Sequence, residues 1–459
     1  MLEAELIKEI CKKERDCLFS EETIVNIPIW RIVRYNSRLY YVNKVTGYVA
    51  SSPHHKSSRV GKPKLKLFSG FWRYILKKDI SVIFPFNRLV FYDNHYIDKF
   101  TDPVIVESFL KDCSYIIVDP PAYSGKYARI NRKNTLSEEN RTPLQQLLKY
   151  YFKFITPIQY GNVINRLFKK TKNVFELPDE QITYYYNQIS VFLAKYYYYY
   201  FWFKVLKPSR VFIVFREGYF PQIAACKRLN IPVAEFQHGI TLDATISFAG
   251  EYDQRIDPDY FLVFGEYWKG PQFGMPLDRI VNIGWAYSKY LQKSLSKNTK
   301  KRNNEVLVIS SPEISDSVLD TLQELSKYNG DFSFDIRLHP CESYNESQQQ
   351  KLMSISKAQV VNNKTDSALV LPTYKYVVGE NSSVIYEALS SGCKVGMLNM
   401  CGLRPPIELP GIKENFFIIN NCGDFENFLN DEFEQSASKA EFYSEFDSKR
   451  FMEFIENKM

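Results

Sequence analysis

Several features that mark large classes of protein are missing from this sequence. None of the eight cysteines forms a C-x-x-C pair, so neither a zinc site nor a disulfide framework is indicated. No stretch reaches the roughly 20 apolar residues that span a bilayer, and the amino terminus MLEAELIKEICKKERD has no apolar signal core. Because scattered thiols also fit a reducing compartment, we expect a cytoplasmic protein.

The phosphate-binding motif G-x-x-x-x-G-K-S/T is also absent, which leaves ATP hydrolysis without support. The net charge of +7 is a mild basic excess, without a basic arm or a known nucleic-acid signature, so we expect no nucleic-acid partner. An anionic membrane surface is a secondary candidate partner, because of the basic run 54 to 78 and the five tyrosines 196 to 200. The protein would then lie at the inner face of the inner membrane. The same two segments also suit a solvated loop and a packed helix.

The composition that remains is that of a large globular protein. Hydrophobic residues make up 45% of the chain and charged residues 24%. A chain of 459 residues exceeds one ordinary core, so two domains are expected.

Short apolar segments alternate with helical ones through the last third of the chain, which predicts a parallel sheet covered on both faces. The predicted strands are EVLVISSP (305–312), FSFDIRLHP (332–340), AQVVNN (358–363), YKYVVGE (374–380), CKVGMLN (393–399) and NFFIIN (415–420). This pattern predicts a Rossmann-like domain over residues 296–459.

The same alternation occurs earlier and predicts a second Rossmann-like domain with a helical insertion over residues 1–295. Its predicted strands are RLVFYDN (88–94), SYIIVDPP (114–121), PSRVFIVF (208–215), IPVAEFQHG (231–239), DYFLVFGE (259–266) and DRIVNIG (278–284). The polar segment 292–304 is the linker candidate, and residues 27–43 suggest a small hairpin. Two such domains form a cleft lined by strand ends, where ligands bind.

The segment VVGENSSVIYEALSSG (377–392) turns from a buried strand to polar residues where a helix begins. Asn381 or Ser382 can cap that helix, and Ser383 lies in its first turn. Free N–H groups and the helix dipole favour an anion there, with phosphate as the natural ligand. A plain N-cap is the alternative.

A second polar strand end, RLHP (337–340), places His339 before the turn-forming Pro340. The chain has only five histidines, and a surface histidine next to its proline is the alternative. A third strand end carries Ser311, in SSPE (310–313). Together these strand ends favour a nucleotide-phosphate site.

These carboxyl-terminal motifs resemble those of bacterial GT-B glycosyltransferases of capsule and lipopolysaccharide biosynthesis. RLHP is similar to the His-Pro motif of sialyltransferases and Kdo transferases, and ENSS to their Ser-Ser/Thr motif. The resemblance implies that the first motif contacts cytidine monophosphate and the second its phosphate. YEALSSGCKV looks like the Glu-Ala-Leu…Gly element of this fold and adds Glu387 to the predicted donor site.

Two strand ends of the amino-terminal domain carry the predicted catalytic residues. VFREGYF (214–220) resembles the sialyltransferase motif of two acids and a glycine, whose carboxylate is the base, but here Arg216 replaces the first acid, leaving Glu217. EFQHGI (235–240) supplies His238 as a base or as a donor to the departing phosphate. A Glu217–Arg216 pair and a loop-ordering His238 are the alternatives.

The resulting interpretation is a metal-independent glycosyltransferase. It would transfer a CMP-linked acidic sugar, such as Kdo or sialic acid, to a surface polysaccharide or lipopolysaccharide. The acceptor would thus be a glycan or a lipid-linked glycan, and no cofactor beyond the nucleotide-sugar donor is expected. Asp257 and Asp259 imitate an Asp-x-Asp metal motif but are expected in a solvated loop. The sequence leaves open whether Glu217 or His238 is the base, and whether Glu217 is instead a nucleophile in a retaining reaction.

Three other functions stay open at this point. A CDP-polyol phosphotransferase would use the same hydroxyl pair, and a nucleotide-sugar epimerase of the same fold would need no acceptor. A non-catalytic scaffold of a polysaccharide assembly complex is compatible with Arg216 in place of the expected acid.

Overall fold

The computed structural model describes most of the chain. The described residues are 3–46, 74–86, 88–92, 94–119, 130–137, 143–241, 245–270, 274–295, 302–328, 330–380, 382–403, 416–430 and 442–459. The chain forms two units, of which the first comprises Met1–Val263, Trp268–Ile283 and Asp447–Met459, and the second comprises Phe264–Tyr267 and Gly284–Phe446.

The first unit is built on a seven-stranded parallel sheet with the order β11-β10-β9-β8-β3-β6-β7. The strands of this sheet are β3 (Ile80–Phe84), β6 (Ser114–Asp119), β7 (Thr135–Ser137), β8 (Arg210–Val214), β9 (Val233–Phe236), β10 (Tyr260–Val263) and β11 (Ile280–Asn282). Two small antiparallel pairs accompany it, β1 (Thr23–Ile24) with β2 (Ile27–Pro28) and β4 (Leu89–Tyr92) with β5 (His95–Asp98).

Helices cover this sheet. Those described in the first unit are α1 (Glu3–Asp16), α2 (Trp30–Thr46), α3 (Asp102–Glu107), α4 (Pro143–Phe175), α5 (Gln181–Leu206), α6 (Phe220–Arg228) and α13 (Ser448–Lys458). The long helices α4 and α5 lie in the chain between β7 and β8. Within the tyrosine run, Tyr196 and Tyr199 are buried in the core, so the run serves packing.

The second unit is a six-stranded parallel sheet with the order β14-β13-β12-β15-β16-β17. Its strands are β12 (Arg302–Ile309), β13 (Ser333–Arg337), β14 (Ala358–Val360), β15 (Tyr374–Gly379), β16 (Lys394–Leu398) and β17 (Phe417–Ile419). Its described helices are α7 (Tyr287–Leu295), α8 (Ser315–Leu325), α9 (Glu346–Ser354), α10 (Ser367–Val370), α11 (Ser383–Ser390) and α12 (Cys422–Asn430). The prediction of two parallel-sheet α/β units is confirmed.

Two local predictions were wrong. Residues 27–43 do not form a hairpin beyond the two residues of β2, because helix α2 begins at Trp30. Residues 88–94 do not join the main sheet. They form β4, which pairs with β5 across a turn in which Asn94 has a left-handed φ of 61°, a conformation that asparagine tolerates.

The sequence predicts one boundary between the two domains, near residue 295, whereas each unit of the structure consists of more than one chain segment. The chain leaves the first unit after Ile283 and returns to it at Asp447. The reason is the apolar face of α13, where Phe451 lies against Phe212 and Phe236 with ring centroids 6.0 and 6.3 Å away. The predicted linker 292–304 falls partly in α7 and partly in β12, and residues 296–301 lie outside the described residues.

Candidate active site

Three polar segments of the second unit lie at one edge of its sheet. Strands β13 and β15 both pair with β12, with Ile309 opposite Arg337 and Val308 opposite Val378. Because the three strands are parallel, the segments that follow them leave from the same edge. These segments carry the predicted donor-site residues Ser311, His339, Pro340, Ser382 and Ser383.

The turn between β15 and α11 places two hydroxyl groups at the start of the helix. Ser382 is the N-cap, and its Oγ accepts a hydrogen bond of 3.3 Å from the backbone N–H of Val384. Ser383 is the first helical residue, and both serines are half-buried. Asn381, the other predicted cap, lies outside the described residues.

A glycine makes this turn tight. A Cβ placed on Gly379 would lie 2.9 Å from the Cδ1 of Ile385 and 3.2 Å from the Cβ of Ile309. Only a residue without a side chain lets α11 begin this close to β12. The hydroxyl pair is thereby held at the strand ends.

A buried carboxylate shapes the turn that presents His339. Glu342 accepts hydrogen bonds from Ser310 Oγ at 2.6 Å, from Ser315 Oγ at 2.7 Å and from the backbone N–H of His339 at 2.8 Å. The His339 side chain itself is exposed, and its Nδ1 accepts from the backbone N–H of Cys341 at 3.2 Å. A neutral ring with an accepting Nδ1 carries its proton on Nε2, which makes Nε2 a hydrogen-bond donor.

Glu387 occupies the buried side of α11. Its side chain accepts a hydrogen bond of 3.1 Å from Ser367 Oγ on α10, and the residue is 5% exposed. Ser311 is half-buried, and its carbonyl accepts from Ser315 Oγ at 3.2 Å. The Glu387 carboxylate therefore already has a hydrogen-bond partner within the second unit.

The first unit brings its two predicted catalytic segments to neighbouring strand ends. Strands β8 and β9 are paired, with Val214 opposite Phe236. Glu217 follows β8, and His238 follows β9. Phe215 bends the chain between β8 and Glu217 with a left-handed φ of 72°, a strained conformation for a bulky residue of the kind that clusters at functional sites.

Glu217 is paired with Arg34, and this differs from the pairing with Arg216 considered from sequence. Arg34 Nη2 lies 2.9 Å from Glu217 Oε1 and also donates to the carbonyl of Ser247 at 2.8 Å. The Glu217 side chain is 9% exposed. Burial, assisted by the neighbouring cation of Arg31, lowers the pKa of Arg34 to about 10, which still leaves it charged at neutral pH.

Arg216 turns into the core. Its Nε donates to Glu235 Oε2 at 2.6 Å, its backbone N–H donates to Glu235 Oε1 at 2.8 Å, and its Nη1 lies 3.4 Å from Asp257. Burial raises the pKa of Glu235, an effect that the attraction of Arg216 opposes. Arg216 is thus a buried cation that pairs with two carboxylates.

The expectation that Asp257 and Asp259 lie in a solvated loop was wrong for Asp257. It is 1% exposed and pairs with both Arg31 and Arg216, while its Oδ2 accepts from the backbone N–H of Asp253 at 2.8 Å. Asp259 pairs with Lys227. Within the described part of the chain, no group of three or more His, Cys, Asp or Glu side chains is placed to hold a metal ion.

His238 lies among aromatic rings. The nearest is Phe86, with ring centroids 4.8 Å apart, followed by Phe215 at 5.1 Å, Phe248 at 6.1 Å and Phe100 at 6.4 Å. The buried Nδ1 has no hydrogen-bond partner among the described residues. A polar atom left this way inside an apolar pocket is a candidate for contact with a ligand.

The protonation state of His238 follows from the same surroundings. Burial, and then the positive charges of Arg88 and Arg216, lower its pKa from 6.5 to about 4. The imidazole is therefore neutral at physiological pH, and it can accept a proton or a hydrogen bond. Its neighbour Gln237 is fully buried and donates to the carbonyl of Gly239 at 2.9 Å, which orders the loop.

The structure adds three residues that sequence reasoning missed. Glu342 orders the His339 turn, Arg34 holds Glu217, and Arg88 acts on His238. For Glu342 the local spacing H-P-C-E gave a usable signal, because the carboxylate caps its own turn. No local signal existed for Arg34, which is 183 residues from Glu217.

Comparisons with known proteins bear on the fold. No protein-family model matches the sequence, and no curated protein matches it. The helices in the described part of the chain are all too short or too polar to cross a membrane.

Solved structures align with most of this chain at low sequence identity. The UDP-GlcNAc 2-epimerase of Methanocaldococcus jannaschii aligns with a TM-score of 0.50 and 13% identity, over 83% of this chain and 99% of that chain. The Neisseria meningitidis UDP-GlcNAc 2-epimerase bound to UDP-GlcNAc has a TM-score of 0.46 and 13% identity, over 83% and 100%. The glycotransferase of kitacinnamycin has a TM-score of 0.42 and 12% identity, over 77% and 91%. At these identities the likeness concerns the fold, and the alignment with the M. jannaschii protein supports a two-unit, parallel-sheet α/β fold of the GT-B type.

Proposed function

We propose that this protein is an enzyme acting on a nucleotide-sugar, and that it transfers the sugar to a glycan acceptor. The observation that carries the proposal is the edge of the second unit's sheet, where three adjacent parallel strands end in His339, Ser311 and the Ser382–Ser383 pair. Strand ends of this kind in parallel α/β sheets are where nucleotides bind.

The donor phosphate is assigned to α11 and the His339 turn. The hydroxyls of Ser382 and Ser383, the first N–H groups of α11 and the Nε2 of His339 are all hydrogen-bond donors. Donors held in place before the reaction stabilise the charge that develops on a departing phosphate. In this proposal the donor is a CMP-linked acidic sugar, as the motif resemblance implies, and no metal ion is required.

The acceptor hydroxyl is assigned to the first unit. Glu217 and His238 are the two groups there that can take its proton. The contacts favour His238, because the Glu217 carboxylate is engaged by Arg34 while the His238 Nδ1 has no described partner. A bound anion near His238 would raise its pKa towards the working pH, where a general base is most effective.

The test compares nucleotide binding in wild type and in the S382A/S383A variant. We expect CMP or CDP to raise the melting temperature more than UDP or GDP does. Each hydroxyl donor to an anion contributes roughly 1.5–3 kcal/mol, so the double variant should bind CMP at least about tenfold more weakly by calorimetry. The matched control is Ser390→Ala at the other end of α11, where the Oγ donates to the Glu387 carbonyl. If the double variant binds CMP with wild-type affinity, Ser382 and Ser383 only cap the helix and do not bind phosphate.

A nucleotide-sugar epimerase is the second candidate, and the fold alignment with the M. jannaschii UDP-GlcNAc 2-epimerase is the observation that favours it. Incubation with UDP-GlcNAc and no acceptor distinguishes the two. An epimerase would yield the C2 epimer by NMR, whereas the proposed transferase would leave UDP-GlcNAc unchanged. A preference for UDP over CMP in the binding test would likewise support the epimerase.

A further inference from the structure

The amino-terminal half of α4 carries an apolar face that the rest of the first unit leaves uncovered. Six large apolar side chains on this half are exposed, and the α4 stripe is defined as Leu144, Leu147, Tyr150, Tyr151, Phe154 and Ile158. Successive members are mostly three or four residues apart, which places them on one side of the helix. Leu147, Tyr150, Phe154 and Ile158 are 65%, 71%, 71% and 66% exposed.

The helix is firmly packed on its other side. Phe152 is buried and stacks on Tyr197 of α5 with ring centroids 5.2 Å apart, and Thr156 is fully buried. The stripe is thus the outer face of an anchored helix. A contiguous exposed apolar face of this kind marks an interaction site.

The charges on α4 are all of one sign. Residues 143–175 contain Lys149, Lys153, Arg166, Lys169, Lys170 and Lys172, and no aspartate or glutamate. Lys149 and Lys153 lie in the same turns as the stripe, are exposed, and form no ion pair with another described residue. A basic helix with an aromatic and aliphatic face matches an anionic lipid surface. Pairing of two copies through this face would bring like charges together.

We propose that the α4 stripe docks on the surface of an anionic lipid bilayer. The apolar side chains enter the boundary between headgroups and acyl chains, the tyrosine hydroxyls stay with the headgroups, and Lys149 and Lys153 pair with lipid phosphates. The inference is independent of the function proposed above, because it uses none of the strand-end residues.

The test is co-sedimentation of the full chain with vesicles. Binding to phosphatidylcholine vesicles containing phosphatidylglycerol should exceed binding to phosphatidylcholine alone, and it should weaken with salt. F154S/I158S should weaken binding to the anionic vesicles at least about tenfold. K149Q/K153Q should weaken it about tenfold or more, since each lysine near such a surface contributes roughly a fivefold effect. Met353→Ser on α9 of the second unit, where the side chain is 83% exposed, is the matched apolar control and should change nothing.

Three results would overturn the proposal. One is absence of sedimentation with the anionic vesicles, and another is unchanged sedimentation of F154S/I158S. The third is that the wild-type protein is a dimer in analytical ultracentrifugation and does not bind vesicles, whereas F154S/I158S is a monomer. Melting temperatures of all variants should equal that of wild type because the replaced side chains are exposed, so loss of folding does not confound the comparison.

Discussion

At the scale of single residues, the buried arginines of α2 include Arg34, which holds the side chain of Glu217 in place. Arg31, Arg34 and Arg38 lie on one face of that helix and are all buried. Each meets a carboxylate: Arg31 meets Asp257, Arg34 meets Glu217, and Arg38 meets Glu14. Removing one member of such a buried pair leaves an uncompensated charge, which is costly.

Replacement of Glu217 by Gln tests its role in the proposed reaction. Gln is nearly isosteric but cannot take a proton, so if Glu217 is the base we expect turnover to fall by roughly 10²-fold or more with nucleotide affinity unchanged. Glu14→Gln is the matched control, because it removes the carboxylate that pairs with Arg38, the neighbouring buried arginine of α2. Equal losses of stability and of turnover in both variants would make Glu217 a structural residue and leave His238 as the base.

A pH-dependent contribution to stability is expected from His238. Its folded pKa of about 4 lies below its ordinary value near 6.5. Between these pH values the unfolded chain binds a proton that the folded chain does not, so the free energy of unfolding decreases as the pH falls from about 6.5 to about 4. The loss attributable to this group is about 3 kcal/mol.

Urea unfolding at pH 7 and pH 5 measures the part of this loss that falls between those two pH values, roughly 2 kcal/mol. H238Q should flatten the pH dependence relative to wild type, because the titrating group is gone. H339Q replaces an exposed imidazole and should leave the dependence as it is. An identical pH dependence in H238Q and wild type would contradict the neutral, buried state of His238.

At the scale of elements, the turn after β13 depends on one carboxylate. Glu342 accepts hydrogen bonds from Ser310, Ser315 and the His339 backbone, and it thereby joins the end of β12, the start of α8 and the His339 turn. Hydrogen bonds to a charged acceptor each contribute roughly 1.5–3 kcal/mol. The geometry of His339 therefore depends on a residue that need not touch the ligand.

Glu342→Ala should lower the stability of the protein by about 3 kcal/mol or more, since it leaves three donors without their acceptor. It should also weaken CMP binding if His339 contacts the nucleotide. Calorimetry on Glu342→Ala and on Glu313→Ala, an exposed carboxylate after the same strand β12, separates these effects. Full CMP affinity in a destabilised Glu342→Ala protein would exclude His339 from the nucleotide site.

At the scale of the whole molecule, the chain crosses between units more than once, and its last helix completes the first unit. Phe451 of α13 is fully buried against strands β8 and β9 through Phe212 and Phe236. The last residues of the sequence thus help to cover the sheet whose strand ends carry Glu217 and His238.

Phe451→Ala should destabilise the first unit by about 3–5 kcal/mol, the usual loss for a buried phenylalanine. Glu453→Ala, an exposed position of the same helix, should have little effect. Hydrogen exchange would locate the loss, with faster exchange expected in β8 and β9. Faster exchange confined to the second unit would contradict the assignment of α13 to the first.

The sequence by itself determined those elements whose signals are local. The alternation of apolar strands and helices predicted eleven strands of the two main sheets, and the Ser382 cap predicted the start of α11, because periodicity and capping act within a few residues. The strand-end positions of Glu217, His238 and His339 followed from the same rule for parallel sheets.

Tertiary structure alone decided the features that depend on distant residues. The sequence of α2 does not predict a helix, because three arginines interrupt its apolar face. Those arginines are buried because each pairs with a carboxylate of another segment, Asp257, Glu217 or Glu14. The inward turn of Arg216 depends in the same way on Glu235 and Asp257. Charge pairs formed by chain folding leave no periodic signal in the sequence, so only the folded chain could reveal which charges are buried and which remain available for chemistry.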